Sequence, residues 1–344
     1  MAALAGSSRL TQRGQATAGD GDSPSSLFAA TLDSSSSTHS SKQQQKQQYV
    51  PSCACGLLDH HQLPRWIQVI DASPGWIRSY HRPPQASVSA CLASVFQWNS
   101  ETVNIWSHLL AFMGTVYFLY DFVTNQFFFN TRDYGFSFDE LSTMDKVVML
   151  TFAYSSLAIF GISTTFHTFI CHSPGVSDQL RRLDHVAAVN HVACGMYPIV
   201  YSALTCSPYR WHYMWAIAIS SIVCMCVFYF ADVYEPEKAW IRGTMALTVA
   251  GIATFSLVHH GTYIGSDGIW KAMGGVWLLR MMSCNAMSFV FYVLHLPERL
   301  WPGKFDLVGH SHQLLHIVAT LATLCQAYAI LSAFGYNLHS PCVM

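Results

Sequence analysis

Beyond residue 100 the chain consists of long apolar runs broken by short polar stretches. Seven of the runs are long enough to cross a hydrocarbon core of roughly 30 Å, which takes about 20 helical residues. They lie near 103–123, 146–170, 184–204, 211–231, 241–262, 274–296 and 312–335. Apolar residues follow one another without alternation, so the runs read as helices and exclude a membrane barrel. The pattern predicts an all-α integral membrane protein, a seven-transmembrane-helix bundle over 103–335. Ahead of it, residues 86–98 are amphipathic and too short to span. They predict an interfacial helix inside a juxtamembrane segment, 61–102. Residues 1–60 are rich in Ser and Gln, with Ser34 to Ser37 and a Gln tract from Gln43 to Gln48 as extremes. Such a stretch cannot bury enough apolar surface to offset its ordering entropy and reads as a disordered cytoplasmic tail. Residues 336–344 make a short outer tail.

Composition sharpens this picture. Charged residues are 11% of the chain and hydrophobic ones 51%, whereas soluble domains carry about 25% charge. The net charge of −1 offers no basic field for nucleic acid. Many of the eleven cysteines sit inside apolar runs, as Cys224, Cys226 and Cys325 do, which is not a disulfide framework. Cys206 and Cys342 both fall on the outer side, where a disulfide can form. Cys342 is third from the end, one place off a prenylation box. The first twenty residues lack the apolar core of a signal peptide, and no glycosylation sequon occurs. Cys53-Ala-Cys55 with His60-His61 is a loose zinc pattern that a flexible or lipid-modified segment explains equally well.

Lys and Arg set the expected orientation. Arg65, Arg78, Arg82, Arg181, Arg182, Lys238, Arg242, Arg299 and Lys304 fall on one side, against Arg132, Lys146, Arg210 and Lys271 on the other. The N-terminus is therefore expected in the cytoplasm and the C-terminus outside.

Candidate chemistry gathers at the cytoplasmic end. His312 and His316 are four residues apart, hence on one helix face and able to chelate one metal. His167 nears the end of the second run with Ser163 one turn before it, and Asp184 opens the third. Taken singly, each His can be an interfacial hydrogen-bonding residue, and Asp184 can pair with Arg181 or Arg182. Together at one depth they point to a metal, because polar groups in a bilayer are costly, roughly 2.5–3.5 kcal/mol for a central Asp. Three imidazoles with an open fourth position describe a catalytic zinc site. Zinc would lower the pKa of a bound water to about 7, with Asp184 placed to orient or deprotonate it and Ser163 to hydrogen-bond nearby. The implied chemistry is amide or ester hydrolysis of a lipid. Arg280, inside the sixth run, either snorkels or meets an anionic headgroup or fatty carboxylate. His259 and His260 read as outer interfacial residues, and His185, His191 and His310 as polar lining or second-layer support. A proton-coupled transporter would need polar groups at several depths, whereas these gather at one.

Several motifs occur in order. They are Asn99-Ser-Glu-Thr-Val-Asn-Ile-Trp-Ser-His108, Ser163-x3-His167 followed by Cys171-His172-Ser173, Leu183-Asp184, Pro297-Glu-Arg-Leu-Trp-Pro-Gly-Lys-Phe-Asp306, and Ser311-His-Gln-Leu-Leu-His316. In these, from about residue 65 onward, the chain resembles the progestin and adipoQ receptor (PAQR) family, which includes the adiponectin receptors. The resemblance implies seven helices, a cytoplasmic N-terminus, and zinc on His167, His312 and His316 with Asp184 and Ser163 beside it. Ceramidase-like hydrolysis is associated with some members and ligand reception with others. Two departures stand out: His185 where the family usually has Tyr, and Asn99-Ser100-Glu101 where it favours Asn-Glu. Features of the first helix and tail look like the Golgi-anchored member, while Cys91-Leu-Ala-Ser94 looks like the membrane progestin receptors. The resemblance implies residence in the Golgi or the plasma membrane.

Two functions follow. One is a receptor with zinc-dependent lipid amidase activity, with ceramide as the candidate substrate. The other is a receptor or scaffold in which zinc is structural and the cytosolic face recruits signalling partners. Membrane lipids are expected partners in both, with a lipid, steroid or protein as ligand.

Overall fold

A computed structural model of the chain describes residues 56–70, 75–124, 131–234 and 238–340. Of the expected disordered tail, 1–60, residues 1–55 with Cys53 and Cys55 lie outside the described residues, as does Cys342 in the outer tail, while within 56–60 Leu58 is buried and bridged to His81. Two short helices, α1 (Arg65–Ile70) and α2 (Val88–Ser94), precede seven long ones. These are α3 (Thr102–Thr124), α4 (Thr143–Phe169), α5 (Pro174–Ala203), α6 (Arg210–Phe230), α7 (Ala239–Ala272), α8 (Gly275–Leu294) and α9 (Ser311–His339). No strand forms among the described residues; Leu58 and His81 make an isolated antiparallel bridge.

Local chemistry explains the helix limits. Ser142 and Asp145 form a reciprocal capping box at the start of α4, with Ser142 Oγ accepting from the Asp145 amide at 3.2 Å. Pro174 opens α5, where its missing N–H costs nothing. The α7 helix is broken at Gly265 (φ 76°, ψ 168°), a conformation that only glycine adopts cheaply. Gly274 begins α8 at φ 83°, and a Cβ there would run into the Ala329 carbonyl of α9.

Six of the seven long helices, all but α5, are long and apolar enough to cross a membrane. The result is an integral membrane helical bundle. The α5 helix is 30 residues long but carries Asp178, Arg181, Arg182, Asp184, His185, Asn190 and His191. Its position accounts for its polarity: it packs against α4, α6, α7 and α9, so much of it meets protein. Lipid gives no hydrophobic drive for helices to associate, and close packing of small residues substitutes for it. Ala187, Ala193 and Gly195 of α5 and Ala322, Ala327, Ala329 and Ala333 of α9 are buried accordingly. Large apolar side chains such as Trp215, Phe230, Phe255 and Val258 point outward instead, the reverse of a water-soluble protein.

At one end of the bundle the connecting segments are tied together by buried polar groups. Asp306 accepts from the Arg78 and Ser79 amides at 3.0 and 2.9 Å, and the Gly303 amide donates to the Trp76 carbonyl at 2.9 Å. Glu298, fully buried, accepts from the amide of Ser311 at 2.7 Å and from its hydroxyl, neutralising the start of α9. Gln313 donates to the Ser100 and Leu307 carbonyls at 3.1 and 3.0 Å, and His310 donates to the same Ser100 carbonyl at 3.2 Å. The entrance to α3 and the first turn of α9 are thereby held in one frame.

Candidate metal centre

His312 and His316 project from one face of α9, one turn apart, toward the last full turn of α4, which carries His167. The Nε2 atoms of His167 and His312 are 3.3 Å apart, and those of His312 and His316 are 3.2 Å apart. The ligand atoms of all three residues lie within 4.8 Å of one another. Metal–nitrogen bonds of about 2.0–2.1 Å in a tetrahedron place neighbouring nitrogens about 3.3 Å apart, so two of these spacings match a zinc-sized ion. The group can therefore hold a metal ion.

The surroundings fit that reading. His167 donates from Nδ1 to Glu101 Oε2 at 2.7 Å, which fixes the tautomer and leaves Nε2 as the free lone pair. The same carboxylate oxygen accepts from Asn104 Nδ2 at 2.9 Å. Burial works against charge on Glu101, but the His167 hydrogen bond, the Arg82 guanidinium and the Asn104 amide outweigh it. They hold the carboxyl well below the usual carboxylate range. His316 stacks on His108 with ring centroids 3.8 Å apart, and His108 in turn meets Phe160 edge-on at 5.2 Å. Ser163 of α4 faces Asp184 of α5, whose carboxyl Oδ1 is buried with no partner.

The ligand-bearing turn of α4 is clamped from outside the bundle. Arg82, buried, donates from Nη1 to Ser94 Oγ at 2.8 Å and to the Thr168 carbonyl at 3.1 Å, and from Nη2 to the His167 carbonyl. A guanidinium is required here, because its fork reaches α2 and two successive carbonyls at once.

The structure thus brings His167, His312 and His316 together, with Asp184 on the neighbouring α5 within electrostatic reach of His167. Pairing of Asp184 with Arg181 or Arg182 does not occur. Both arginines bind Asp178 instead, Arg182 Nε at 2.8 Å, and lie over the Tyr234 ring at 3.9 and 5.3 Å. His185 donates to the Arg181 carbonyl of its own helix at 2.9 Å and packs against Tyr234 and Phe228. His310 is part of the α9 frame, His259 meets Tyr213, and Arg280 is exposed on α8 with its guanidinium 4.4 Å from the Trp277 ring centre. His191 sits deeper, seven residues or about 10 Å further along α5 than Asp184. There it meets Ser155 and Thr323 at 3.1 Å each, so the interior polar groups are not confined to one depth. Glu101, Arg82 and His108 are the residues that sequence reasoning missed.

Residues 96–327 match the Haemolysin-III-related family. The chain is 27% identical to an adiponectin receptor protein of Drosophila melanogaster over 288 residues, 83% of this chain and 61% of that protein. It is 28% identical to a progestin and adipoQ receptor-like protein of Caenorhabditis elegans over 291 residues, 83% of this chain and 63% of the relative. With membrane progestin receptor gamma of Mus musculus it shares 31% identity over 262 residues, 73% of this chain and 74% of that one. The chain thus spans about three-fifths of the length of the first two relatives. With the helical bundle and the ordered motifs that build its histidine cluster, the chain belongs to the Haemolysin-III-related family of progestin and adipoQ receptors.

Proposed function

We propose that this chain is a seven-helix membrane receptor that holds zinc on His167, His312 and His316 and hydrolyses a lipid amide of the ceramide class. The observation that carries the proposal is the convergence of three imidazole nitrogens, with a buried, unpartnered Asp184 oxygen on the adjoining α5 helix. When bound, zinc would supply Lewis-acid polarisation of the amide carbonyl and acidification of water. Asp184 is the catalytic base: its Oδ1 is the free acceptor that takes a proton and returns it to the leaving amine. Ser163 orients that carboxyl by hydrogen bond. Glu101 keeps His167 in the Nδ1–H form, and Arg82 fixes the backbone of the same turn.

Membrane topology supports this arrangement. The α5 helix, at about 45 Å long and flanked by four other helices, serves as the seventh span despite its polarity. The distribution of Lys and Arg puts the N-terminus in the cytoplasm and the C-terminus outside. Cysteine, histidine and carboxylate chemistry near α2, α4 and α9 then faces the inner leaflet, where a lipid carbonyl is at hand. Exposed Val88, Leu92, Phe96 and Trp98 suit α2 to the membrane interface.

Asp184→Asn in purified full-length protein tests the reading. Zinc is retained at about one ion per chain while ceramide hydrolysis is lost; hydrolysis equal to that of the unmodified protein would contradict it. The receptor names of the relatives favour a second reading. In it, zinc is structural, the ligand is a protein such as adiponectin or a steroid such as a progestin, and the N-terminal tail recruits cytosolic signalling partners. On that reading Asp184→Asn leaves ligand response and partner binding unchanged. Golgi and plasma membrane fit either reading.

A further inference from the structure

Cys91 and Cys171 are 80 residues apart in sequence, yet their sulfurs lie 3.8 Å apart, both buried and both free thiols. Cys91 is on α2, and Cys171 lies two residues past the end of α4. A hydrogen-bonded frame holds the pair in place. The Gln85 amide donates to the Cys171 carbonyl at 2.8 Å, the Cys91 thiol donates to the Gln85 carbonyl at 3.4 Å, and Ser94 Oγ donates to the Cys91 carbonyl at 2.6 Å. The sulfurs need only close to about 2.05 Å to be bonded.

We propose that Cys91 and Cys171 are a redox-responsive dithiol that an organic hydroperoxide converts to a disulfide, stapling α2 to the end of α4. Burial, and then the neighbouring Cys171, push the Cys91 thiol up to about 12, so at rest it is protonated and reacts only slowly. Proximity, not acidity, makes the pair special. Once either sulfur is oxidised, its partner is already in place to capture it before a second oxidant arrives.

The steps balance. One thiol, losing its proton, attacks the terminal peroxide oxygen, the O–O bond breaks, and the alkoxide takes up that proton and leaves as an alcohol. The second thiol attacks the resulting sulfenic sulfur, an S–S bond forms, and water leaves. Two thiols are oxidised by two electrons and one hydroperoxide is reduced. An apolar oxidant suits the place, because Val88 and Leu92 of α2 and Phe96 just past it are exposed, while Cys91 of the same helix is buried. A reducing cytosol returns the pair to thiols. No metal ligand takes part, so the inference rests on the fold and not on zinc or hydrolysis.

The test treats full-length protein in lipid nanodiscs with cumene hydroperoxide, alkylates the remaining thiols and maps the peptides by mass spectrometry. Exposed Cys226 serves as the internal control for oxidant delivery. The expected result is a Cys91–Cys171 linked peptide that dithiothreitol releases, together with an unfolding temperature higher than that of the reduced protein. Both signals vanish in Cys91→Ser and in Cys171→Ser, and the linkage in the unmodified protein can be read even if a variant folds poorly. Recovery of Cys91 and Cys171 in separate alkylated peptides, or linked to other cysteines, once Cys226 has oxidised would overturn the proposal.

Discussion

Two groups of histidines lie within this bundle, and chemistry separates them. His259 and His260 are adjacent on α7, so their rings leave the helix about 100° apart. His259 is hydrogen-bonded to the Tyr213 hydroxyl at 2.7 Å and to Tyr263 at 3.4 Å, within a ring of aromatic side chains. His312 and His316, by contrast, share one face of α9, a third imidazole reaches them from α4, and a carboxylate fixes that third ring. Histidine number is the same to within one. What differs is register, a partner helix at the right depth, and an acceptor that frees the nitrogen lone pair for something other than a neighbouring hydroxyl.

The sharpest way to break this contrast is to remove one ring from each group. His316→Ala is expected to drop metal content from about one ion per chain to near none, since two imidazoles seldom hold zinc against a membrane environment. His259→Ala is expected to leave it unchanged. Equal metal in both variants would erase the distinction. A smaller effect is expected from Glu101→Gln, which keeps the fold but weakens the fixing of His167. Metal affinity should fall by about 10–100-fold, read by competition with a chromophoric chelator. Glu298→Ala leaves the Ser311 amide and hydroxyl without their buried acceptor, and thermal unfolding should show a loss of about 1–3 kcal/mol. The smallest effect belongs to the other group: Tyr213→Phe should cost about 1 kcal/mol or less in stability and leave metal binding untouched. A metal defect in Tyr213→Phe would mean that the α7 histidines communicate with the site.

Much of this was legible in the sequence because membranes simplify folding. Long apolar runs must be helices, and the four-residue spacing of His312 and His316 states its own geometry. Less was visible where one residue type serves two purposes. Arg82 counts as a positive charge flanking a span, yet it is a buried clamp on the His167 turn. Glu101 borders an apolar run, as headgroup-facing carboxylates do, and only the fold reveals that it meets a residue 66 positions away. The first ten residues of α5, from Pro174, read as a loop because they are charged, although helix continues through them. Sequence also placed the polar interior at a single depth. His191, read from the sequence only as polar lining, lies deeper, and its partners Ser155 and Thr323 escaped notice because hydroxyls inside apolar runs usually bond to their own helix, as both also do.

Zinc-edge X-ray absorption of the purified full-length protein tests the central claim most directly. The account predicts about one zinc per chain with three imidazole nitrogens at about 2.0–2.1 Å, a lighter oxygen ligand and no sulfur. Folded protein without zinc, or zinc bound through cysteine sulfur, would contradict it and reduce the three histidines to a hydrogen-bonded cluster in the bundle interior.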